Sequence, residues 1–149
     1  MSHLLYQAGN TIFATHLDEL DEVLMPMHYQ PIAGGPDFLL GVINLRRHLL
    51  PVVSVVDRLG LGSPADKFLL RSRILAAKVK ARYLGFQVEQ VFEIVDLSAE
   101  QLQEDVFAAP LHQACTGLVW RHKDQLVYEL SLAEILANSQ LKLLVAIDD

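Results

Sequence analysis

Six histidines, one cysteine and a short acidic run are the residues of this 149-residue chain with the means to do chemistry. The histidines stand at positions 3, 16, 28, 48, 112 and 122, with no i,i+4 or His-x-His spacing between them. His112 with Cys115 is the only metal-like spacing, two ligands where zinc wants four, so ordinary surface or core histidines and no metal are expected. Cys115 has nothing in the sequence to orient it or to supply an oxyanion donor, and a free cysteine usually packs as a small hydrophobe. Gly60-Leu61-Gly62-Ser63 lacks the lysine and flanking glycine of a phosphate loop, and Gly34-Gly35-Pro36 has a proline where backbone amides would be needed. Both read as turns. Asp18, Glu19, Asp21 and Glu22 read as the solvated face of a short helix, not as an acid/base pair. No catalytic residue, cofactor site or metal site is expected.

The elements around these residues are mostly short strands. Leu4 to Ala8 and Thr11 to Thr15 flank Gly9-Asn10 and read as a β-hairpin. Leu17, Leu20, Val23 and Leu24 recur at helical spacing and predict one or two helical turns ending before Pro26. Pro31 and Gly34-Gly35-Pro36-Asp37 mark a loop. Phe38 to Val56 predicts two strands joined by a polar turn near Asn44-Leu45-Arg46-Arg47-His48, and Gly60 to Pro64 a further loop. Ile74 to Val79 and Leu84 to Val88 form a second hairpin pattern about Lys80-Ala81-Arg82, its turn type open because it has no glycine. Ser98 with Gln101, and Ser131 with Glu134, have capping-box spacing and predict two short helices, the second running to about Asn138. Between them Leu118 to Trp120 and Leu126 to Leu130 read as a hairpin. Leu141 to Ile147 reads either as a last strand or as a segment packed on the surface. Many short strands with two or three short helices mean a barrel or sandwich.

Bulk properties narrow the function classes. The chain is 52% apolar and 20% charged, which favours one domain with a buried core, and no apolar run approaches the roughly 20 residues that span a bilayer. The opening Met1-Ser2-His3-Leu4-Leu5-Tyr6 lacks the basic start of a signal peptide, and a lone cysteine suits a reducing compartment. A soluble cytoplasmic protein is expected. A net charge of −6 without a basic stripe argues against nucleic acid as a partner.

One stretch is more specific than the rest: Pro36-Asp37-Phe38-Leu39-Leu40-Gly41-Val42-Ile43-Asn44-Leu45-Arg46, then Leu49-Leu50-Pro51-Val52-Val53, ending at Leu59-Gly60-Leu61. It resembles the signature of the CheW-like family of chemotaxis adaptors, which runs roughly Gly-Val-x-Asn-Leu-Arg-Gly, an apolar pair, Pro-Val and a leucine-rich exit. Leu20-Asp21-Glu22-Val23 resembles the family's upstream acidic motif, and Leu84 to Val91 its Gly-x-x-Val-Asp-x-Val strand. Gly117-Leu118-Val119 with Leu126 to Leu130 is similar to its closing hairpin, so the resemblance covers about residues 4 to 138 in order. Arg47 stands where the family usually has glycine, Glu89 where it has aspartate, and Ser54 and Ser131 where aspartates are common.

The resemblance implies an all-β domain with short helices, built as two intertwined five-stranded SH3-like barrels with a hydrophobic groove between them. It implies a non-catalytic adaptor with two faces. One would take the regulatory domain of a CheA-type histidine kinase, and the inter-barrel groove would take the cytoplasmic hairpin tip of a methyl-accepting chemoreceptor. The receptor-facing residues it implies are Leu20, Glu22, Asn44, Leu45, Arg46 and Arg47, with Glu22 and Arg46 as an ion pair near the groove. The competing view of Glu22 is a solvated acid with no partner. Rival functions are an adaptor of a pilus or other chemosensory system, a module cut from a larger regulator or kinase, and an enzyme using Cys115. The start at Met1 and the few residues beyond the matched span favour the free adaptor.

Overall fold

The computed structural model describes residues 2–61, 70–103 and 114–145. Gly62, Ser63 and Pro64 of the expected loop, His112, and Ala146 and Ile147 of the expected last segment lie outside them.

The chain begins with the expected hairpin, β1 (Ser2–Ala8) and β2 (Thr11–His16), whose turn has φ +63° at Gly9. It then enters a second unit made of β3 (Leu20–Leu24), β4 (Leu39–Leu45), β5 (His48–Ser54), β6 (Arg73–Val79) and β7 (Arg82–Val88). It returns to the first unit with β8 (Gln90–Asp96), β9 (Cys115–His122) and β10 (Gln125–Leu130). The first barrel is ordered β8-β1-β2-β10-β9 and the second β3-β6-β7-β5-β4. Each uses one plan: an edge strand, a hairpin, a parallel join, and a second hairpin. The parallel joins are β2 with β10 and β5 with β7. The barrels are intertwined because both ends of the described chain build the first.

Three hairpins turn without glycine. Arg46-Arg47, Lys80-Ala81 and Lys123-Asp124 each place two successive residues at positive φ, the type I′ pattern that matches strand twist. Arg47 therefore holds φ +69°, a conformation that suits the glycine of the family's motif and strains an arginine.

The apolar side chains fall into three cores. The largest lies between the barrels and takes Tyr6, Phe13, Val53, Leu75, Phe86 and Leu130, among others. A second fills the second barrel with Leu24, Leu40, Ile43, Leu50, Val52, Ile74 and Ala76. A third, smaller one fills the first barrel with Leu5, Ala14, Leu97 and Val127. In β7 the alternation is clean: Leu84, Phe86 and Val88 face the central core, which leaves Tyr83 and Gly85 on the other side.

Several expected elements differ. The predicted helix before Pro26 is one 3-10 turn at Leu17–Glu19 followed by β3, because Leu20 to Leu24 find antiparallel partners on β6 and that pairing outweighs a short 3.6-residue pattern. Val55 and Val56, read as strand, begin helix α1 (Val55–Leu59). The Asp57 amide donates to Ser54 Oγ at 3.1 Å and Gly60 closes the helix at φ +67°, so serine does the capping work in place of the family's aspartate. The capping box at Ser98 and Gln101 forms around a 3-10 turn at Ala99–Gln101. The one at Ser131 does not. Ser131 Oγ donates to Glu19 Oε1 at 3.1 Å, and the Ala133 amide donates to the same oxygen, so a carboxylate from far upstream caps the 3-10 turn Leu132–Glu134. That turn stops well before Asn138, where helix α2 (Asn138–Val145) starts; the described part of the possible last strand is thus helical, with Leu141 and Leu144 in the central core.

Candidate protein-binding site

The family motif is built around a close approach. The chain before β4 lies across Gly41, with Gln30 and Val42 exchanging backbone hydrogen bonds at 2.9 Å in both directions. A Cβ at Gly41 would sit 2.6 Å from Gln30 O and 2.9 Å from Tyr29 Cβ, and φ there is +149°, so only glycine fits. This strap carries Met27 and Tyr29 onto the core of the second barrel and fixes β4, which delivers Asn44, Leu45 and Arg46 to the β4–β5 turn.

At that turn Arg46 Nη2 donates to Glu22 Oε2 at 2.9 Å. The expected pair exists, so Glu22 is not merely a solvated acid. The Arg46 side chain is 73% exposed and that of Glu22 30%, a setting in which an ion pair contributes under about 1 kcal/mol to folding. The guanidinium keeps further N–H donors toward solvent, in the planar arrangement that grips a carboxylate with two bonds.

The pair borders a cavity of about 550 Å³ that also involves Leu45, Leu49, Leu50 and Tyr83. All its lining residues belong to the second barrel, and Leu50 and Ala76 join it to that barrel's core. The resemblance implied a receptor groove between the barrels; the cavity beside Glu22 and Arg46 is lined by residues of the second barrel.

The other expected site residues divide. Leu45 lines the cavity; Asn44 and Arg47 are exposed beside it and do not line it. Leu20 turns away. A bulge at Asp21 sets Leu20 opposite Ala77, facing the central core, while Glu22 lies opposite Ala76, facing the core of the second barrel. Leu49 and Tyr83, exposed by 41% and 52%, are apolar rim residues that the motif comparison missed. Strand alternation carries the signal for both: Leu50 and Leu84 point inward, so their neighbours point out.

Two of the histidines, His3 and His16, far apart in the sequence, come together in the fold. His3 and His16 are directly opposite in the β1–β2 register, and Nε2 of each approaches Glu129 Oε1, at 2.8 and 3.2 Å. Cross-strand partners 13 positions apart leave no local spacing to detect. At the edge of the same barrel Lys123 Nζ donates to Glu93 Oε2 at 3.0 Å, and this bond holds the exposed Glu93 carboxyl below its ordinary range. No helix among the described residues is long and apolar enough to cross a membrane.

Twin five-stranded barrels, with a motif-borne ion pair beside a surface cavity of one of them, define a class of all-β domain. The chain belongs to the CheW-like domain family, whose model matches residues 2–140. It is 31% identical over 100 residues to "Chemotaxis protein CheW" of Rhizobium meliloti, covering 67% of this chain and 63% of that protein. The chain thus matches less than two thirds of that relative's length. Against "Chemotaxis protein CheW" of Thermotoga maritima it is 24% identical over 139 residues, 93% of this chain and 89% of the other. "Protein PilI" of Pseudomonas aeruginosa is 29% identical over 128 residues, 83% and 69% of the two chains. The crystal structure of the scaffolding protein TtCheW from Thermoanaerobacter tengcongensis superposes with a TM-score of 0.76 at 19% identity, over 93% and 94% of the chains, and shares the fold.

Proposed function

We propose that this protein is a non-catalytic cytoplasmic adaptor that couples chemoreceptors to a CheA-type histidine kinase in a bacterial chemosensory array. The observation that carries the reading is the Glu22 and Arg46 pair, which joins the family's upstream acidic motif to its most specific one at the rim of a cavity floored by Leu50 and Ala76. Such a rim costs little folding energy to break open, and its apolar floor offers anchors to an amphipathic helix. The cytoplasmic tip of a methyl-accepting chemoreceptor is an antiparallel helical hairpin of suitable shape. The kinase regulatory domain, itself CheW-like, takes a separate face through barrel-end apolar contacts of modest area.

The test is calorimetric titration of the full chain against the kinase regulatory domains and receptor-tip fragments of its own organism. Saturable binding to at least one of each, and simultaneous binding of both, supports coupling. Binding to neither class refutes it. The similarity to PilI favours a second reading, the same adaptor chemistry in a pilus-motility system, which predicts selective binding to the kinase and receptor of that system.

A further inference from the structure

We propose that His3, His16 and Glu129 form a binding site for a divalent transition-metal ion, with zinc the best fit. Their three ligand atoms come from three neighbouring strands, β1, β2 and β10, and all lie within 4.8 Å of one another. The two imidazole nitrogens approach Glu129 Oε1 at 2.8 and 3.2 Å, while two zinc ligands at tetrahedral angles stand about 3.3 Å apart. Those two separations need an opening of only a few tenths of an ångström, and the remaining one, between the imidazoles, is within 4.8 Å. Two imidazoles and a carboxylate are a donor set suited to zinc, and three protein ligands leave a fourth position for water.

The surroundings support a built site. The His3 and Glu129 side chains are almost fully buried, whereas His16 is 30% exposed and provides an entry route. Thr116 Oγ1 donates to Glu129 Oε2 at 2.8 Å, holding the carboxylate by its other oxygen in the manner of a supporting outer ligand. The two imidazole rings are 4.1 Å apart and Trp120 stands 6.0 Å from His3, giving the cluster an aromatic wall. Each imidazole must offer its Nε2 lone pair, so zinc displaces any proton held there to Nδ1 or to solvent, and binding weakens as pH falls. A bound ion would fasten the first hairpin to β10 across the parallel join that completes the first barrel.

The experiment is calorimetric titration of the chelator-treated full chain with zinc chloride, paired with thermal melts with and without EDTA. One zinc per chain and a rise in melting temperature that EDTA reverses are expected. His16→Gln, at the most exposed ligand, abolishes the response while the zinc-free melt stays cooperative. Thr116→Val weakens zinc by roughly 10- to 100-fold. Cys115→Ser and His48→Gln, outside the cluster, leave it unchanged. Absence of saturable binding, or the same affinity in His16→Gln and Thr116→Val as in the parent chain, overturns the proposal.

Discussion

The two barrels share a strand plan, and Glu129 in one and Glu22 in the other are set in opposite ways. In the first, Glu129 is nearly buried, with two imidazoles on one oxygen and a threonine hydroxyl on the other. In the second, Glu22 lies at the rim of a cavity with a single, largely exposed arginine. The buried carboxylate serves the fold, because leaving its partners unsatisfied in a low-dielectric interior is costly. The rim carboxylate contributes little to folding. Identical topology thus yields one barrel that buries its carboxylate and one that presents it.

The comparison can be broken at several points. Glu129→Ala should destabilise the chain by roughly 3–5 kcal/mol, since it strips partners from His3 and Thr116 inside the first barrel. Urea denaturation followed by tryptophan fluorescence measures this. Gly41→Ala should cost roughly 2–3 kcal/mol by forcing the strap away from β4, and it should loosen the second barrel first. Hydrogen exchange at Gln30 and Val42 reports that loosening directly.

A smaller effect concerns the core between the barrels. Tyr6 is fully buried and its phenol donates to Thr15 Oγ1 at 2.8 Å, since that hydroxyl itself donates to Leu130 O at 2.7 Å. Burial pushes the Tyr6 phenol well above its ordinary value of 10.0, and burial acts the same way on Tyr29. The unfolded chain therefore loses these protons above about pH 10 while the folded chain keeps them, so stability is complete below that pH and falls as pH rises beyond it. Tyr6→Phe should lower stability by about 1 kcal/mol at neutral pH and flatten the alkaline decline. A pH series of thermal melts checks both. The smallest effect belongs to the rim: a double-mutant cycle on Glu22 and Arg46 should return a coupling of about 0.2–1 kcal/mol.

What could be read from the sequence follows the range of the forces involved. The four hairpins showed because apolar alternation and polar turn residues are local, and the Arg46 turn because its motif is dense. Leu20 to Leu24 misled because a bulge at Asp21 hides the two-residue period and neighbouring acids mimic a helix face. The strand β8 was not separated from its predecessor, since Phe92 and Ile94 point outward and blur the alternation. Glu19 capping Ala133, and Glu129 between two histidines, join residues more than 100 positions apart and leave no local trace. Of the site, Glu22, Leu45 and Arg46 were legible from the motif, while Leu49 and Tyr83 needed the strand faces to be known.

In the proposed coupling, the second barrel's rim recognises the receptor while the kinase is held elsewhere. The most direct measurement is a pair of calorimetric titrations of the Arg46→Ala protein, one against the receptor tip and one against the kinase regulatory domain. Receptor affinity should fall by at least ~10-fold, about 1.4 kcal/mol, with kinase affinity and the melting temperature nearly unchanged. Receptor binding equal to that of the parent chain would contradict the assignment of this site.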